Sequence, residues 1–541
     1  MNPDRRTVLK AGLAASSLFL PLPYAWVWAQ SEGAHQLLRA PKIALVIGNS
    51  AYRHTTTLNN PANDAKAIAS LLKSFGFDVT MKLDASRAEL ATAIQAHVRK
   101  LAENKGIGLF YFAGHGLQLA WRNYLVPVEA AIKKETDVPQ QCMEIGNLID
   151  GLNAAANPMN IIILDACRQN PFGNDFRDTH KGLSQMDAPP STLLAYATAP
   201  GNVASDGEGA NGLYTEHLLK EMQVRESRLE DIFKRVRLEV RRKTQGAQMP
   251  WESTSLEEDF YFLPPPHLKA RSDAEREKEF QEQFAAWEKI KASPEPAALT
   301  AFLLRYPSGH FSELAQQRLD HLLATQGEKR IQLPSSRDNP FSKGSATLDT
   351  RYRVGDSYSY RVLDPGSGGV TRQYTNAITE INAAQVIFDN GLVTDLLGNT
   401  LKMHDGRVFT DNQNIPVEFA VGKQWTTRYQ VSRPNGQNQD VEMNYVIVSR
   451  APLTVPAGTF DAFLIEGTGF TWSKGGKVEI IIRVWWDPQR VRRPIAREEF
   501  RQVRLEGGGG WQERRRFRPN LQGKVRVLIS ERHELTAYHQ S

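Results

Sequence analysis

The feature that most constrains the fold is a short apolar run, Ile161-Ile162-Ile163-Leu164, that ends in Asp165-Ala166-Cys167. Four aliphatic residues in a row, three of them β-branched, describe a strand covered on both faces, and so a central strand of a parallel sheet. Side chains at the carboxyl end of such a strand face the crevice where α/β sheets place their ligands. A matching run lies 52 residues before Cys167, where Ile107-Gly108-Leu109-Phe110-Tyr111-Phe112 leads into Ala113-Gly114-His115-Gly116. Two parallel strands that carry His115 and Cys167 to one rim supply a nucleophile and its base.

A thiol attacks only as thiolate, so it needs a base or a positive charge beside it. His115 can take that proton and return it to a leaving amine. Gly114 and Gly116 let the backbone turn sharply next to the imidazole. The backbone N–H groups of Gly116 and Cys167 form a candidate oxyanion hole. Taken singly, a strand-end cysteine reads as core and a Gly-His-Gly turn as structural; the two together at paired strand ends read as chemistry. Cys142 and Cys167 are the two cysteines of the chain, which is no disulfide framework. In an oxidising compartment they could pair, and pairing would silence Cys167. Cys142, in the connecting segment 139–142, reads as incidental. No G-x-G-x-x-G follows the first strand, which removes a dinucleotide enzyme from consideration. No metal ligand set or cofactor is read.

At 541 residues the chain is too long for one core, and two to four domains are expected. Strand and helix alternate from residue 42 to residue 263: a strand at 42–48, a helix from Pro61, a strand at 77–81, and a helix from 86 to 104 capped by Ser86 with Glu89 three residues on. The His115 strand, a hairpin (117–119 with 124–126), a helix near 144–155, the Cys167 strand, a strand at 192–198 and helices near 213–224 and 229–244 complete the unit. This predicts a doubly wound, mostly parallel α/β sheet with helices on both faces. Residues 272–325 predict a charged helix and one helical hairpin in the style of tetratricopeptide-like units. A single copy cannot bury itself and must pack on a neighbour. From residue 346 to 541 the pattern alternates and is aromatic, as in Tyr358-Ser359-Tyr360-Arg361-Val362. That predicts an antiparallel β domain of about ten strands, a sandwich or partly open barrel, whose ligand the sequence does not name.

Five blocks in order resemble the caspase-like peptidases of bacteria, relatives of metacaspases and paracaspases. They are Ile47-Gly48-Asn49-Ser50-Ala51-Tyr52, Leu58-Asn59-Asn60-Pro61-Ala62-Asn63-Asp64-Ala65, Phe112-Ala113-Gly114-His115-Gly116, Leu164-Asp165-Ala166-Cys167-Arg168 and Ala197-Thr198-Ala199-Pro200-Gly201. The resemblance covers residues 42–263 and implies a caspase–haemoglobinase fold, a peptide or protein substrate, and His115 and Cys167 as the catalytic pair. Two departures count against aspartate-directed cleavage and metacaspase-style calcium activation. Asp165 stands where animal caspases carry glutamine, and Arg168 and Gln169 follow the cysteine.

An acid-lined pocket for an Arg or Lys before the scissile bond is expected. Asp165 lies two residues before Cys167, so on an extended strand both leave the same face. Asp64 sits near the start of the first helix, beyond the carboxyl end of the first strand, so it too should face the crevice, and Asp206 is a third candidate. Asp64 and Asp165 match acidic positions that shape the basic-specific pocket in metacaspase-like relatives. The alternative is that Asp64 caps its helix and Asp165 orients nearby backbone. A different class of function also stands beside the peptidase: a non-hydrolytic envelope scaffold built on a caspase fold joined to a ligand-binding β domain.

The net charge of +6 is uneven, with an excess of eight positive charges between Arg483 and Arg532. These arginines alternate with apolar residues, which reads as a solvated strand face, and no nucleic-acid partner is expected. Residues 1–29 resemble a twin-arginine signal peptide, with Arg5-Arg6 before an apolar stretch and Val27-Trp28-Ala29 at a cleavage spacing. This predicts engagement of the export machinery and a periplasmic protein; the alternative is an uncleaved membrane anchor facing the periplasm.

Overall fold

The computed structural model describes residues 36–167, 182–199, 209–266, 272–328, 339–473, 476–505 and 524–541. The signal-like residues 1–29, Arg168, Gln169 and Asp206 lie outside them. Of Cys167, the last residue of its strand, the backbone is described.

The first unit is a mixed sheet in the order β2-β1-β3-β6-β7-β8. Its strands are β1 (Lys42–Gly48), β2 (Asp78–Leu83), β3 (Ile107–Leu119), β6 (Met159–Cys167), β7 (Thr192–Tyr196) and β8 (Trp251–Thr254). All neighbours are parallel except β7 and β8. Two short strands, β4 (Arg122–Leu125) and β5 (Met143–Glu144), extend the sheet beyond the carboxyl end of β3. The predicted hairpin is thus β3 turning into β4. The antiparallel β8 was not predicted; its four residues carry no alternation long enough to read. Ile43 to Ile47, Ile161 to Leu164 and the apolar part of β3 are almost wholly buried, because helices cover both faces. These are α1 (Pro61–Ser74), α2 (Arg87–Asn104), α3 (Ile145–Ala155), α4 (Leu213–Met222) and α5 (Leu229–Lys243). Helix α2 begins on the expected capping box, Ser86 with Glu89.

The strand order reverses between β1 and β3, where chains leaving the two strands diverge to opposite faces and open a crevice at the carboxyl ends. Among the described residues, His115, Asp64, Asp165 and the backbone of Cys167 lie at the carboxyl edge of the sheet.

Helices α6 (Asp273–Ile290), α7 (Pro296–Arg305) and α8 (Ser312–Thr325) make one cluster. Trp287, Leu299, Phe302, Leu303, Phe311 and Leu319 bury one another there together with Leu238 of α5. The lone hairpin therefore finds the neighbour it requires. Arg241 of α5 reaches Asp320 and Glu328 at 2.6 Å each. On its other side, Glu313 of α8 accepts from the barrel residues Lys423 at 2.9 Å and the Val417 N–H at 2.8 Å.

Among the described residues the C-terminal part is an antiparallel barrel, the second of the two expected forms, but closed rather than partly open and of twelve strands rather than about ten. They are β10 (Ser357–Leu363), β11 (Val370–Ile381), β12 (Gln385–Phe388), β13 (Val393–Asp395), β14 (Thr400–Lys402), β15 (Val408–Phe409), β17 (Gln424–Ser432), β18 (Asn438–Val455), β19 (Gly458–Ser473), β20 (Gly476–Trp486), β21 (Ala496–Leu505) and β22 (Lys524–His539). Closure comes from β10 pairing with β22, which removes both edges of the sheet. β9 (Ser345–Thr347) and β16 (Glu418–Ala420) form a separate ribbon. Strands of two to four residues from β12 to β15 are too short for a period-2 pattern to separate, hence the low count.

Candidate active site

β3 and β6 run in register from Ile107 with Met159 as far as Ala113 with Asp165, and then the register slips to Gly116 with Cys167. Three steps on β3 match two on β6, so one extra residue is accommodated at Gly114–His115. A bulge of this kind re-aims a side chain next to a site. It sets His115 beside the paired positions Gly116 and Cys167. Gly114 has a φ of +156°, and a Cβ there would stand 2.6 Å from the Tyr52 hydroxyl. A Cβ on Gly116 would stand 2.7 Å from the Ala166 carbonyl oxygen, so β3 approaches β6 as closely as glycine permits.

The imidazole of His115 is 4% exposed and held from two sides. Its backbone N–H donates to the Tyr52 hydroxyl at 2.7 Å, and the Tyr52 ring packs on it with centroids 4.5 Å apart. Its Nε2 lies 2.8 Å from the Thr56 carbonyl oxygen. A carbonyl can only accept, so Nε2 carries the hydrogen and Nδ1 is the basic nitrogen of the neutral ring. The loop bearing Tyr52 and Thr56 is itself pinned. Asp84 accepts from the Ser50 and Ala51 N–H groups at 2.8 Å each. Asn49, fully buried, accepts from the Ala85 N–H at 2.9 Å and donates to the Val126 carbonyl at 3.2 Å.

Asp64 and Asp165 approach the same residue. Both are buried, at 2% and 6% exposure, and both border Gly212, the cap residue of α4. A Cβ on Gly212 would stand 3.1 Å from Asp64 Oδ2 and 3.7 Å from Asp165 Oδ2. Asp64 Oδ1 accepts from the Gly212 N–H and from Asn211 Nδ2 at 2.9 Å each. Asp64 thus caps a helix, but α4 rather than its own α1, whose start is Asn60 without a side-chain cap bond. Asp165 Oδ2 accepts from the Thr215 hydroxyl at 2.9 Å, and Thr215 in turn accepts from Tyr111 at 2.6 Å. Burial, then the charges of Asp165 and Asp64, push the Tyr111 hydroxyl well above the ordinary phenol range, so Tyr111 stays a donor. Asp206, the third acid expected here, lies outside the described residues.

Sequence reasoning gave no role to Tyr52, Thr56, Asn211, Gly212, Thr215 or Tyr111. Tyr52 belongs to the family-like block 47–52, but a backbone carbonyl such as that of Thr56 has no signature in side-chain identity. Cys142 is a free thiol in an apolar cluster with Tyr124, Val126 and Val138. Burial pushes it up to about 12, so it is inert as a nucleophile.

Residues 41–261 match the family model described as Caspase domain. Among curated proteins, the chain is 29% identical over 193 residues to mucosa-associated lymphoid tissue lymphoma translocation protein 1 of Homo sapiens, covering 35% of this chain and 22% of that protein. It is 24% identical over 280 residues to Caspase-1 of Rattus norvegicus, covering 47% of this chain and 68% of that protein. The chain therefore spans about a fifth of the length of the first of these relatives. Among solved structures, the Drosophila initiator caspase Dronc aligns with a TM-score of 0.32 and 14% identity, covering 41% of this chain and 83% of that one.

Proposed function

We propose that the chain is a cysteine endopeptidase that cleaves after Arg or Lys, with Cys167 as nucleophile and His115 as base. The observation that carries this reading is the bulge that sets His115, with its Nε2–H committed to Thr56, beside the paired positions Gly116 and Cys167. In the proposed reaction Nδ1 takes the thiol proton, and the thiolate attacks the peptide carbonyl. The N–H groups of Gly116 and Cys167 receive the charge that develops on the carbonyl oxygen. The imidazolium returns its proton to the leaving amine, and water then hydrolyses the thioester to release the acid and restore the thiol. The Thr56 carbonyl is stabilising once the ring is positive, which favours the ion pair that the first step creates.

The basic preference is supported by Asp64 and Asp165, two buried carboxylates brought to one glycine. A carboxylate pair in a desolvated pocket favours a guanidinium, which it can hold by bidentate bonds. The test is hydrolysis of fluorogenic peptides ending in Arg, Lys, Asp or Leu by wild-type protein beside Cys167→Ala and His115→Ala. Arg and Lys peptides should be cut, Cys167→Ala should be inactive, and His115→Ala should be slower by about 10²–10⁴-fold. Equal rates in wild type and Cys167→Ala would end the peptidase reading; a preference for Asp would end the basic one.

A further inference from the structure

The inner face of the barrel carries charged side chains, apart from the crevice of the parallel sheet. Register shows which side chains share its inner face, because residues directly opposite one another on paired strands leave the same side. Tyr445 stands opposite Gly467, Gly467 opposite Ile482, Ile482 opposite Glu499, and Glu499 opposite Glu531. In the same way Arg497 lies between Val484 and His533, and Arg501 lies opposite Ile480. Tyr445, Ile480, Ile482 and Val484 belong to the barrel's buried core. Arg497, Glu499 and Arg501 therefore point into the barrel, not out to solvent.

Charge on this inner face is not balanced. One carboxylate, Glu499, serves two guanidiniums: it accepts from Arg501 Nε at 2.6 Å and pairs with Arg497. Burial would raise its carboxyl, but Arg497 and Arg501 hold it down at about 2. Arg372, opposite Val362 and so on the same face, adds a third guanidinium. Glu531 adds a second carboxylate at the mouth, 3.3 Å from His533 Nε2. Burial and Arg497 push His533 down, and its Nδ1 meets the Tyr374 hydroxyl at 2.9 Å. Among the described residues this face has three guanidiniums against two carboxylates.

Space is available beside the excess charge. Arg497 is ringed by Tyr374, Tyr429 and Tyr445, yet 40% of its side chain and 25% of that of Arg501 stay accessible, against 11% for Glu499. Eight strands make a barrel that side chains just fill, whereas twelve enclose more room. Gly467 lies on the inner face, where a Cβ would stand 2.3 Å from Cε1 of Tyr445, so that ring lies flat over the strand. The surroundings of the guanidiniums are apolar and aromatic, with Trp425 stacked on Tyr445 at 5.2 Å.

We propose that the barrel lumen binds an organic anion, its carboxylate or sulfonate held by Arg497 and Arg501 and its apolar body laid against the half-buried rings of Tyr374 and Tyr429. An inorganic anion would leave the apolar wall wet, and an uncharged lipid would leave the guanidiniums short of a partner.

The full chain is titrated with 8-anilinonaphthalene-1-sulfonate, and the bound dye is then competed with dodecanoate, dodecanol and inorganic phosphate. The expected result is saturable binding at one site, displaced by dodecanoate but not by dodecanol or phosphate at equal concentration. Arg497→Gln and Arg501→Gln should each weaken binding by about tenfold or more while keeping the wild-type circular dichroism, since each removes a charge-assisted pair. Absence of saturable binding, equal competition by dodecanol or by phosphate, or unchanged affinity in both folded variants would overturn the proposal. If either variant fails to fold, the comparison of dodecanoate with dodecanol on the wild type decides.

Discussion

The parallel sheet and the barrel place polar chemistry in opposite ways. In the sheet, both faces of the central strands are covered, so polar groups appear where strands end: Asn49 after β1, His115 at the bulge of β3, Asp165 and Cys167 at the end of β6. In the barrel, each strand has one inward face along its whole length, so Arg497, Glu499 and Arg501 sit in mid-strand among core residues. A site at strand ends is built from loops and glycines that position a few atoms. A site inside a barrel is built from alternation and is as large as the lumen. The first suits bond-making, where a displacement of about 1 Å is costly; the second suits holding a molecule.

This contrast can be broken at four points, and the largest effect is expected at Gly116. Replacing Gly116 with Ala puts a methyl group 2.7 Å from the Ala166 carbonyl, so β3 must move away from Cys167. A loss of about 10²–10³-fold in kcat/KM is expected, the size of losing one oxyanion donor, with dye binding in the barrel unchanged. Gly116→Ala protein with wild-type peptidase activity would show that the strand-end geometry is not the determinant.

Acid should separate the two regions next. His97 of α2 is buried, and burial lowers it to about 4 from an ordinary 6.5. The unfolded chain takes up this proton first, so the caspase-like region loses stability as pH falls from 6.5 towards 4, by about 3 kcal/mol at the lower end. Glu499 runs at a lower pH. Its carboxyl at about 2 is depressed from 4.5, so the stability it lends the barrel is intact above 4.5 and lost only as pH falls towards 2. Hydrogen exchange at pH 7 and pH 4.5 should show the sheet loosening, and His97→Leu should reduce the sheet's response while leaving that of β20 to β22, where His533 is also pushed down by burial, unaltered. An undiminished response of the sheet in folded His97→Leu protein would contradict the assignment.

A smaller effect is expected at the acids bordering Gly212. Asp64→Asn keeps an acceptor for the Gly212 N–H and removes the charge, so α4 should stay capped. Cleavage after Arg should fall by about 10–100-fold, equivalent to one charge-assisted hydrogen bond of about 1.5–3 kcal/mol. Circular dichroism distinguishes this from unfolding. An unchanged Arg-to-Leu preference in Asp64→Asn and Asp165→Asn would reduce both acids to braces for α4.

The smallest effect concerns the join between the regions. Asp187 donates its N–H to the Phe341 carbonyl at 3.0 Å and accepts from the Ser342 hydroxyl at 2.7 Å and the Lys343 N–H at 2.6 Å. Asn339 adds a bond to the Gln185 carbonyl at 2.7 Å. Residues 339–343, just before the barrel, thus lie along residues 184–187 of the caspase-like region. Asp187→Ala should cost about 1 kcal/mol of local stability and speed proteolytic nicking at 339–344. An unaltered nicking rate would show that packing at Glu313, not this strap, joins the two.

The amino-acid sequence by itself determined the alternation of strand and helix from residue 42 to residue 263, the capping box of Ser86 and Glu89, and the carriage of His115 and Cys167 by neighbouring strands. These follow from local periodicity and local hydrogen bonding, which a linear chain displays directly. It also placed Asp64 and Asp165 at the crevice beyond the carboxyl ends of the strands. Only the tertiary structure decided that Asp64 caps α4 rather than α1, because the N–H of Gly212 lies 148 residues away. The Thr56 carbonyl that orients His115 is likewise a backbone atom on a loop, with no residue type to betray it. Barrel closure required β10 to meet β22 across the length of the domain, a pairing set by twist and strand number and not by any short pattern. The same closure turned the C-terminal arginines. Arg483 faces outward and pairs with Glu466, as a solvated strand face predicts, whereas Arg497 and Arg501 face the lumen. Alternation says that two faces differ; which of them is inside depends on where the sheet curls.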